Sequence, residues 1–183
     1  MKKTILSLSL LTLILSSCNN EADKFLVTNQ NIGLLTDSTQ VKDLKNIFAE
    51  DSLINPIAGD EFSGTLNTID IYENGGKLLL SLTPKQALDS TATISSIKIK
   101  DPRFKTDKGI NSKSTFGDIK ANYTITKIQN SFKSASIFVK ETDAFFLIDK
   151  NELPAEFRFN MTKTIEEANI PETAAIKSFI LGW

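Results

Sequence analysis

The sequence predicts a β-rich α+β fold with two tandem units, each a helix followed by an antiparallel β-sheet. Short runs of alternating apolar and polar residues recur along the chain and are typical of strands. Two stretches with apolar residues at helical spacing lie between them, and the second half of the chain repeats the order of the first. One helix on three or four strands buries little surface alone, so the two units are expected to pack together.

The first eighteen residues carry the clearest chemical signal. Met1–Lys3 is a basic head, Thr4–Leu15 is an almost unbroken apolar run, and small residues then lead to Cys18, the only cysteine. The apolar run is about twelve residues long, which is too short for a bilayer core that needs about twenty. We therefore expect a removable signal segment. The residues that close it are Leu15, Ser16, Ser17 and Cys18.

These residues resemble the lipobox of bacterial lipoproteins, and the whole chain resembles small lipoproteins of Gram-negative bacteria whose function is not established. The resemblance implies that Cys18 becomes the first mature residue and carries two or three acyl chains, which make a durable anchor. It also implies the outer membrane, because Asn19 stands where an aspartate would favour the inner membrane. The periplasmic and surface-exposed faces both remain open. A lone cysteine is otherwise a buried small side chain or a nucleophile.

The chain accordingly divides into four parts. Residues 1–17 are expected to be the signal peptide and residues 18–24 a polar leader after the lipidated cysteine. Residues 25–100 are expected to form the first helix-plus-sheet unit and residues 101–183 the second. One compact domain is the alternative, because about 166 mature residues can bury one sizeable core or two small ones.

Composition argues against several classes of function. Loss of Lys2 and Lys3 leaves 19 basic against 22 acidic side chains, a net charge near −3. Proteins that bind nucleic acid need a basic surface to displace counterions, so no nucleic-acid partner is expected. Electrostatic binding to an anionic membrane is disfavoured for the same reason, so the lipid must anchor the protein. With one cysteine the chain has no internal disulfide, and its stability must come from packing.

The first unit begins with a strand at Phe25–Thr28 and continues into a helix that ends near Glu50. Ser38 or Thr39 is expected to cap this helix by accepting a hydrogen bond from a free backbone N–H of its first turn. Its apolar face comprises Val41, Leu44, Ile47 and Phe48. After a loop over Leu53–Asp60, strands are expected at Leu66–Tyr72, Leu78–Leu82 and Thr91–Lys100, the first two joined as a hairpin by Asn74–Gly76.

The second unit repeats this plan, which predicts a tandem duplication. Gly109-Ile110 and Ser114-Thr115 match Gly33-Leu34 and Ser38-Thr39 at an offset of 76, and Asp118-Ile119-Lys120 matches Asp43-Leu44-Lys45 one residue out of step. Further matches pair Ile137–Glu141 with Ile69–Glu73, Phe146–Ile148 with Leu78–Leu80, and Thr173–Leu181 with Thr91–Ile99. An additional strand is expected at Phe157–Phe159 and a helical turn at Ile165–Asn169.

The repeat also resembles, as architecture, the helix-plus-sheet modules of β-lactamase inhibitor protein and of BamE-type outer-membrane assembly lipoproteins. Those modules begin with glycine, an apolar residue and threonine, and a valine follows in the helix. Gly33, Leu34, Thr39 and Val41 approximate this order, although the threonine comes several residues later than in the family. Architectural resemblance carries no function.

No catalytic, metal or cofactor site is expected. The chain has no histidine, and zinc, haem and iron–sulfur sites lack their usual ligands. Ser95 and Lys98 have the spacing of some serine hydrolases, but on a strand they point to opposite faces. The acidic stretches Asp149–Glu152 and Asp60-Glu61 match no calcium loop and are expected in solvated turns.

Two further patterns have an ordinary and a functional interpretation. Five aromatic residues could line an apolar pocket, although packing in the core is favoured: Phe145, Phe146, Phe157, Phe159 and Trp183. Three short motifs fit a bacterial O-glycosylation pattern or are ordinary turns and caps: Asp37–Thr39, Asp51–Leu53 and Asp89–Thr91.

The leading functional hypothesis is a lipid-anchored, non-enzymatic cell-envelope protein with a binding or structural role, held by the lipid on Cys18 and engaging an envelope protein partner. One alternative is a carboxylate-dependent hydrolase or carbohydrate-acting enzyme, which would need two acidic groups in a cleft with shifted pKa values. The other is a carrier of small apolar ligands, which would need a cavity enclosed by the sheet. No ligand-binding residues are predicted.

Overall fold

The structure is a computed structural model that describes residues 23–54 and 68–183. The signal segment, Cys18, Asp60-Glu61 and most of the predicted Leu53–Asp60 loop lie outside the described residues. Within these ranges the strands are β1 (Leu26–Val27), β2 (Asn31–Ile32), β3 (Leu35–Thr36), β4 (Ser52–Ile54), β5 (Ile69–Tyr72), β6 (Leu78–Pro84), β7 (Ile94–Ile99), β8 (Lys105–Thr106), β9 (Ile125–Asn130), β10 (Ser134–Val139), β11 (Ala144–Asp149) and β12 (Ile176–Gly182). The α-helices are α1 (Leu44–Ile47), α2 (Phe116–Asn122) and α3 (Ala155–Arg158).

Eight strands form one antiparallel sheet in the order β4-β5-β6-β7-β12-β11-β10-β9. The fold is therefore a β-rich α+β fold, as the alternating patterns predict. The strands β4 to β7 and β9 to β12 each follow one another as a meander. The last strands of the two meanders pair at the centre, where Phe179 lies opposite Ile99 and Leu181 opposite Ile97.

A second, small sheet has the order β3-β2-β1-β8. Its strands β1 and β8 run parallel, with Val27 opposite Thr106, which joins the start of the described chain to the segment after β7. Val27, Ile32 and Leu35 are buried in the same hydrophobic core as the large sheet. The small sheet and the helices thus cover one face of the large sheet, called the inner face below.

The predicted hairpin around Asn74–Gly76 is confirmed as β5 and β6. Gly75 and Gly76 adopt φ values of +114° and +90°, which side chains with a Cβ rarely tolerate. Alternate residues of the hairpin enter the core, because Ile71 lies opposite Leu80 and both are fully buried. The tight turn therefore sets the register that turns the apolar side chains inward.

Aromatic side chains fill the inner face of the second meander. Phe146 of β11 lies opposite Phe179 of β12, and their ring centroids are 5.0 Å apart. Tyr123, which ends α2, packs over Phe146 at 6.4 Å, and Phe116 and Ile119 of α2 are fully buried. Burial of each such side chain contributes about 1.5–3 kcal/mol of hydrophobic free energy.

The first predicted helix is shorter than expected. A 3₁₀ turn at Val41–Asp43 leads into the single turn of α1, and Phe48 ends it before Glu50. The predicted cap at Ser38 or Thr39 is wrong, because Gln40 occupies the cap position. The hydroxyl of Thr39 instead accepts a hydrogen bond from the backbone N–H of Thr36 at 2.9 Å, and so stabilises the preceding turn.

The two helix starts make corresponding contacts with the large sheet. Gln40 bridges to Thr93, just before β7, and Thr115 bridges to Ala175, just before β12. The next N–H groups donate to the sheet as well: Val41 to the carbonyl oxygen of Ala92 at 3.0 Å, and Phe116 to that of Ala174 at 2.8 Å. Asp118 completes a capping box with Thr115, whose N–H donates to its carboxylate at 2.8 Å.

Two predicted elements of the remaining chain have to be corrected. Phe157–Phe159 is not a strand, because Pro154 starts the short helix α3, which buries Phe157 and leaves Phe159 93% exposed. The predicted loop at Leu53 begins instead with β4, which pairs with β5. The helical turn predicted at Ile165–Asn169 is present as a 3₁₀ turn over Glu167–Asn169.

In the described part of the chain, no helix has the length and apolar character needed to span a membrane.

Candidate functional site

A single row of facing side chains crosses the outer face of the large sheet. In this register the row runs through Lys127, Phe138, Phe145, Ile180, Lys98, Ser81, Asp70 and Ile54. We call its first five members, from Lys127 to Lys98, the open-face row. It places three apolar side chains on β10, β11 and β12 between two lysines on β9 and β7.

The apolar members of the open-face row stand apart from the hydrophobic core. Phe138, Phe145 and Ile180 are half-buried, and the core cluster of the described chain includes none of them. The rings of Phe138 and Phe145 stack with centroids 5.4 Å apart, and the Lys127 ammonium lies 5.7 Å from the Phe138 ring. Leu147 extends the apolar surface two residues along β11. These side chains form a contiguous apolar surface on the face opposite the helices.

Lysines gather at the β7 end of the open-face row. Lys98 and Lys100 lie two residues apart on β7 and its extension, and so share one face. Burial lowers the pKa of Lys98, and the positive charges of Lys100 and Lys177 lower it further. Among the described carboxylates, Asp149 pairs with Lys177 at 2.5 Å, and none forms a salt bridge with Lys98 or Lys100. The surface therefore has positive charge available for an acidic group.

A polar cleft of about 410 Å³ lies between the β1–β2 segment and the turn that joins β10 to β11. Two of its polar residues, Asn29 and Glu141, are hydrogen-bonded to neighbouring parts of the fold. Asn29 accepts hydrogen bonds from Asp143 N–H and from the Trp183 indole, both at 3.1 Å. The Thr124 hydroxyl and N–H donate to Glu141 and lower its pKa. The two bonds to Asn29 hold the β1–β2 segment against the large sheet.

Lys108 and Tyr123 close the other wall of the cleft. The Lys108 ammonium donates to the carbonyl oxygen of Asn122 at 2.5 Å and lies 4.4 Å from the Tyr123 ring. Burial raises the pKa of Tyr123, so its phenol stays neutral at physiological pH. Asp107 also lines the cleft. The cleft thus brings together Asp107 and Glu141, and the pKa of Glu141 is shifted away from the range of a general acid.

The described residues that the sequence suggested for catalysis or metal binding are hydrogen-bonded to other groups. The Ser95 hydroxyl donates to the carbonyl oxygen of Thr83 at 2.8 Å, so it forms no dyad with Lys98. Asp149 accepts a hydrogen bond from the Asn151 N–H at 2.9 Å as well as pairing with Lys177, and these bonds lower its pKa. The described residues contain no cluster of three or more acidic or cysteine side chains able to hold a metal ion.

The five aromatic residues predicted as core divide into two groups. Phe146 and Phe157 are buried, as predicted. The core assignment is wrong for Phe145, which belongs to the open-face row, and for Phe159, which projects into solvent. Trp183 is half-buried beside Asn29. Of the three Asp-Ser motifs, the serines Ser38, Ser52 and Ser90 are all exposed, and their glycosylation stays a prediction.

A second charged cluster holds the end of β7 and is structural. The Asp101 carboxylate is fully buried and accepts hydrogen bonds from Arg103 at 2.9 Å and from Lys77 at 2.8 Å. Arg103 also pairs with Glu73 at 2.7 Å. Burial favours the neutral acid, but these bonds prevail and hold the pKa of Asp101 well below its usual range. The cluster fastens the segment after β7 to the β5–β6 turn.

Comparison with known proteins identifies a shared fold. No protein-family model matches the chain, and no curated protein matches it. The crystal structure of the uncharacterized protein yfeY from Escherichia coli superposes with a TM-score of 0.56. The match covers 86% of this chain and 99% of that chain, at 16% sequence identity. At that identity the similarity shows the fold alone.

Sequence reasoning did not identify the open-face row, although a signal for it was present. Phe145-Phe146-Leu147-Ile148 is a continuous apolar run, and such runs indicate strands that are buried on both faces. Ile137–Val139 and Phe179–Leu181 show the same pattern on the adjacent strands. Among the residues that the structure describes, the helices lie on the inner face, so no helix packs over these apolar side chains of the outer face.

Proposed function

We propose that this protein is a lipid-anchored cell-envelope protein that acts by binding rather than by catalysis, with the open-face row as its docking surface. The observation that carries the proposal is the contiguous apolar surface of Phe138, Phe145 and Ile180, which lies outside the core and is flanked by lysines. Contiguous apolar surface that solvent still reaches commonly marks a site of interaction.

The chemistry of the surface favours a protein partner with its own apolar strip and acidic flanks. Stacked phenylalanines supply apolar contact area with few rotatable bonds, which limits the entropy lost on binding. Lys98 and Lys127 lie at the two ends of the apolar segment and would orient carboxylates of the partner. Such lysines at the rim affect the rate and specificity of association more than the affinity.

The proposed location is the outer membrane, with the lipid on Cys18 as the anchor and either its periplasmic or its surface face as the site of action. The basic head, the apolar run and the small residues before Cys18 support this proposal. Attachment through several acyl chains would hold the open-face row near the membrane permanently.

We also propose that the two halves descend from one helix-plus-sheet unit. Each half contributes a four-stranded meander, and each helix start donates hydrogen bonds to the residues just before the meander's last strand. The pairing of β7 with β12 then joins the two inner faces into one core. A unit alone would leave a central strand unpaired, so the duplication would complete the sheet.

The hydrolase alternative has less support from the geometry. The polar cleft contains Asp107 and Glu141, but Thr124 bonds to Glu141 and lowers its pKa, whereas a general acid needs a raised pKa. The carrier alternative requires an enclosed apolar cavity. The inner face is instead filled by side chains such as Phe116 and Phe179, which are fully buried.

Site-specific photo-crosslinking in intact envelopes tests the proposed docking surface. A photoreactive residue at Phe145 is expected to give a discrete crosslinked product that weakens when Lys98 and Lys127 are replaced by glutamate. The same residue at Lys120, exposed on α2 in the opposite layer, serves as the matched control. Equal products at both positions, or none at Phe145, would contradict the proposal. In parallel, Cys18→Ser should abolish palmitate labelling and membrane attachment.

A further inference from the structure

Three large apolar side chains project into solvent from two adjacent loops at one end of the large sheet. Phe132 lies in the β9–β10 turn and is 71% exposed, while Phe159 and Met161 follow α3 and are 93% and 55% exposed. We call these three residues the apolar tip. They are distinct from the open-face row, which lies on the sheet's outer face.

Hydrogen bonds hold the two loops of the apolar tip together. The Asn130 side-chain amide donates to the carbonyl oxygens of Asn160 at 3.0 Å and Lys163 at 2.7 Å. The buried Lys150 donates to the same Asn160 oxygen at 3.1 Å. These hydrogen bonds fix the conformation of the loop that carries Phe159 and Met161, so both side chains stay exposed to solvent.

The start of the described chain lies at the same end of the sheet. Ser134 pairs with Asp149, and Phe179 pairs with Ile99, so the β9–β10 turn and the end of β7 share one end. Beyond β7, the Arg103 guanidinium lies 4.7 Å from the Phe25 ring. The chain thus enters the fold at the end that carries the apolar tip.

The length of the leader limits how far this end can lie from the membrane. Asp23 lies five positions after Cys18 in the sequence, and an extended chain of five residue steps reaches at most about 18 Å. If Cys18 carries the lipid, Asp23 is held within that distance of the bilayer surface, and Phe25 and the end of the sheet beside it follow two residues later. Phenylalanine and methionine side chains that lie this close to the bilayer surface can enter the interfacial region of the membrane.

We infer that the apolar tip inserts into the membrane interface and, together with the lipid on Cys18, fixes the orientation of the protein on the bilayer. This inference rests on the proposed lipid anchor. Two separate attachment points restrict rotation of a protein, whereas a single flexible leader does not. The open-face row would then be presented at a fixed angle to the membrane.

Depth-dependent fluorescence quenching tests the inference. The lipidated full chain, purified from membranes, carries an environment-sensitive nitrobenzoxadiazole probe on a cysteine that replaces Phe159, or Phe132 in a second variant. Both positions are exposed, so the substitutions should not affect folding. The matched control places the probe at Leu88, which is 94% exposed in the β6–β7 loop at the other end of the sheet. Vesicles contain phosphatidylethanolamine and phosphatidylglycerol, with or without brominated acyl chains.

The expected result is that brominated chains quench the probe by about half at Phe159 and Phe132 and leave the probe at Leu88 unchanged. If the protein floats with the vesicles but all three probes respond alike, the tip is not selectively inserted and the inference is wrong, while the anchor proposal stands. A protein that does not float with the vesicles overturns both.

Discussion

The buried carboxylate of Asp101 accepts hydrogen bonds from the Arg103 guanidinium at 3.1 Å from Nε and at 2.9 Å from Nη2. This bidentate contact sits just beyond β7, where the chain leaves the large sheet for β8. Lys77, on the β5–β6 turn, reaches the same carboxylate. Asp101 therefore ties the segment after β7 to the β5–β6 turn at one end of the sheet.

Asp101→Asn should destabilise the protein by about 2 kcal/mol, because the substitution replaces charge-assisted hydrogen bonds with weaker ones at a buried position. Urea unfolding of purified protein measures the change. Glu73→Gln is the matched control: its carboxylate bonds to the same arginine but is 39% exposed, so the change should be much smaller. Equal effects of the two substitutions would show that burial of Asp101 is unimportant.

The same contact predicts a pH dependence of stability. Because the pKa of Asp101 is lowered in the folded state, the folded protein binds fewer protons than the unfolded chain, and the stabilisation is fully present above the unfolded pKa of about 3.9. It is lost as pH falls through the folded pKa. The difference in unfolding free energy between wild type and Asp101→Asn should therefore shrink steadily below about pH 4. A difference that stays constant over that range would contradict the assignment.

Gly33→Ala should be more destabilising than Gly109→Ala. Both glycines have positive φ, +55° and +81°, which costs alanine about 1 kcal/mol or more. At Gly33 the added Cβ would also overlap the carbonyl oxygen of Lys24, whereas at Gly109 it would enter open space. Thermal or urea unfolding of both variants gives the comparison. Similar losses of unfolding free energy in the two variants would mean that the Lys24 backbone moves away from the new Cβ without destabilising the protein.

Two neighbouring phenylalanines on β11 distinguish the core from the open-face row. Phe146→Ala should cost about 3–5 kcal/mol, because it leaves a cavity against Phe179 and Tyr123 in the core. Phe145→Ala should cost much less, since that ring is half-buried on the outer face. Urea unfolding of both variants measures the two changes. A loss at Phe145 as large as at Phe146 would place the outer face within a second core.

Local patterns made much of the fold predictable from the sequence. The β5–β6 hairpin follows from Gly75-Gly76 between an alternating run and an apolar run. The start of α2 at Thr115 lies at the Ser114-Thr115 pair, which the sequence repeat matched to the start of the first helix. The pairing of β7 with β12 was beyond reach, because it depends on packing between segments about eighty residues apart. Three-residue elements such as β4 carry too few positions to show a period.

The candidate site was harder to predict than the fold. The open-face row exists only once five strands have taken their register, and a shift of one residue would turn Phe145 inward and Phe146 outward. The sequence shows that both residues are apolar but not which face the helices cover. The exposure of Phe159 was missed for a related reason. The segment forms the helix α3 rather than a strand, so Phe157 enters the core and Phe159 does not.

Binding through the open-face row is tested most directly by co-isolating partners with the lipidated protein from envelopes after Phe145→Asp. A charge at that position should block the apolar contact. The partner is the protein identified by photo-crosslinking through position 145, and the amount of it that co-isolates should fall about tenfold or more relative to wild type. The urea midpoint should stay close to that of wild type. Lys120→Asp, on the opposite layer, should leave the partner bound. Full retention of the partner by a folded Phe145→Asp protein would contradict the proposed docking surface.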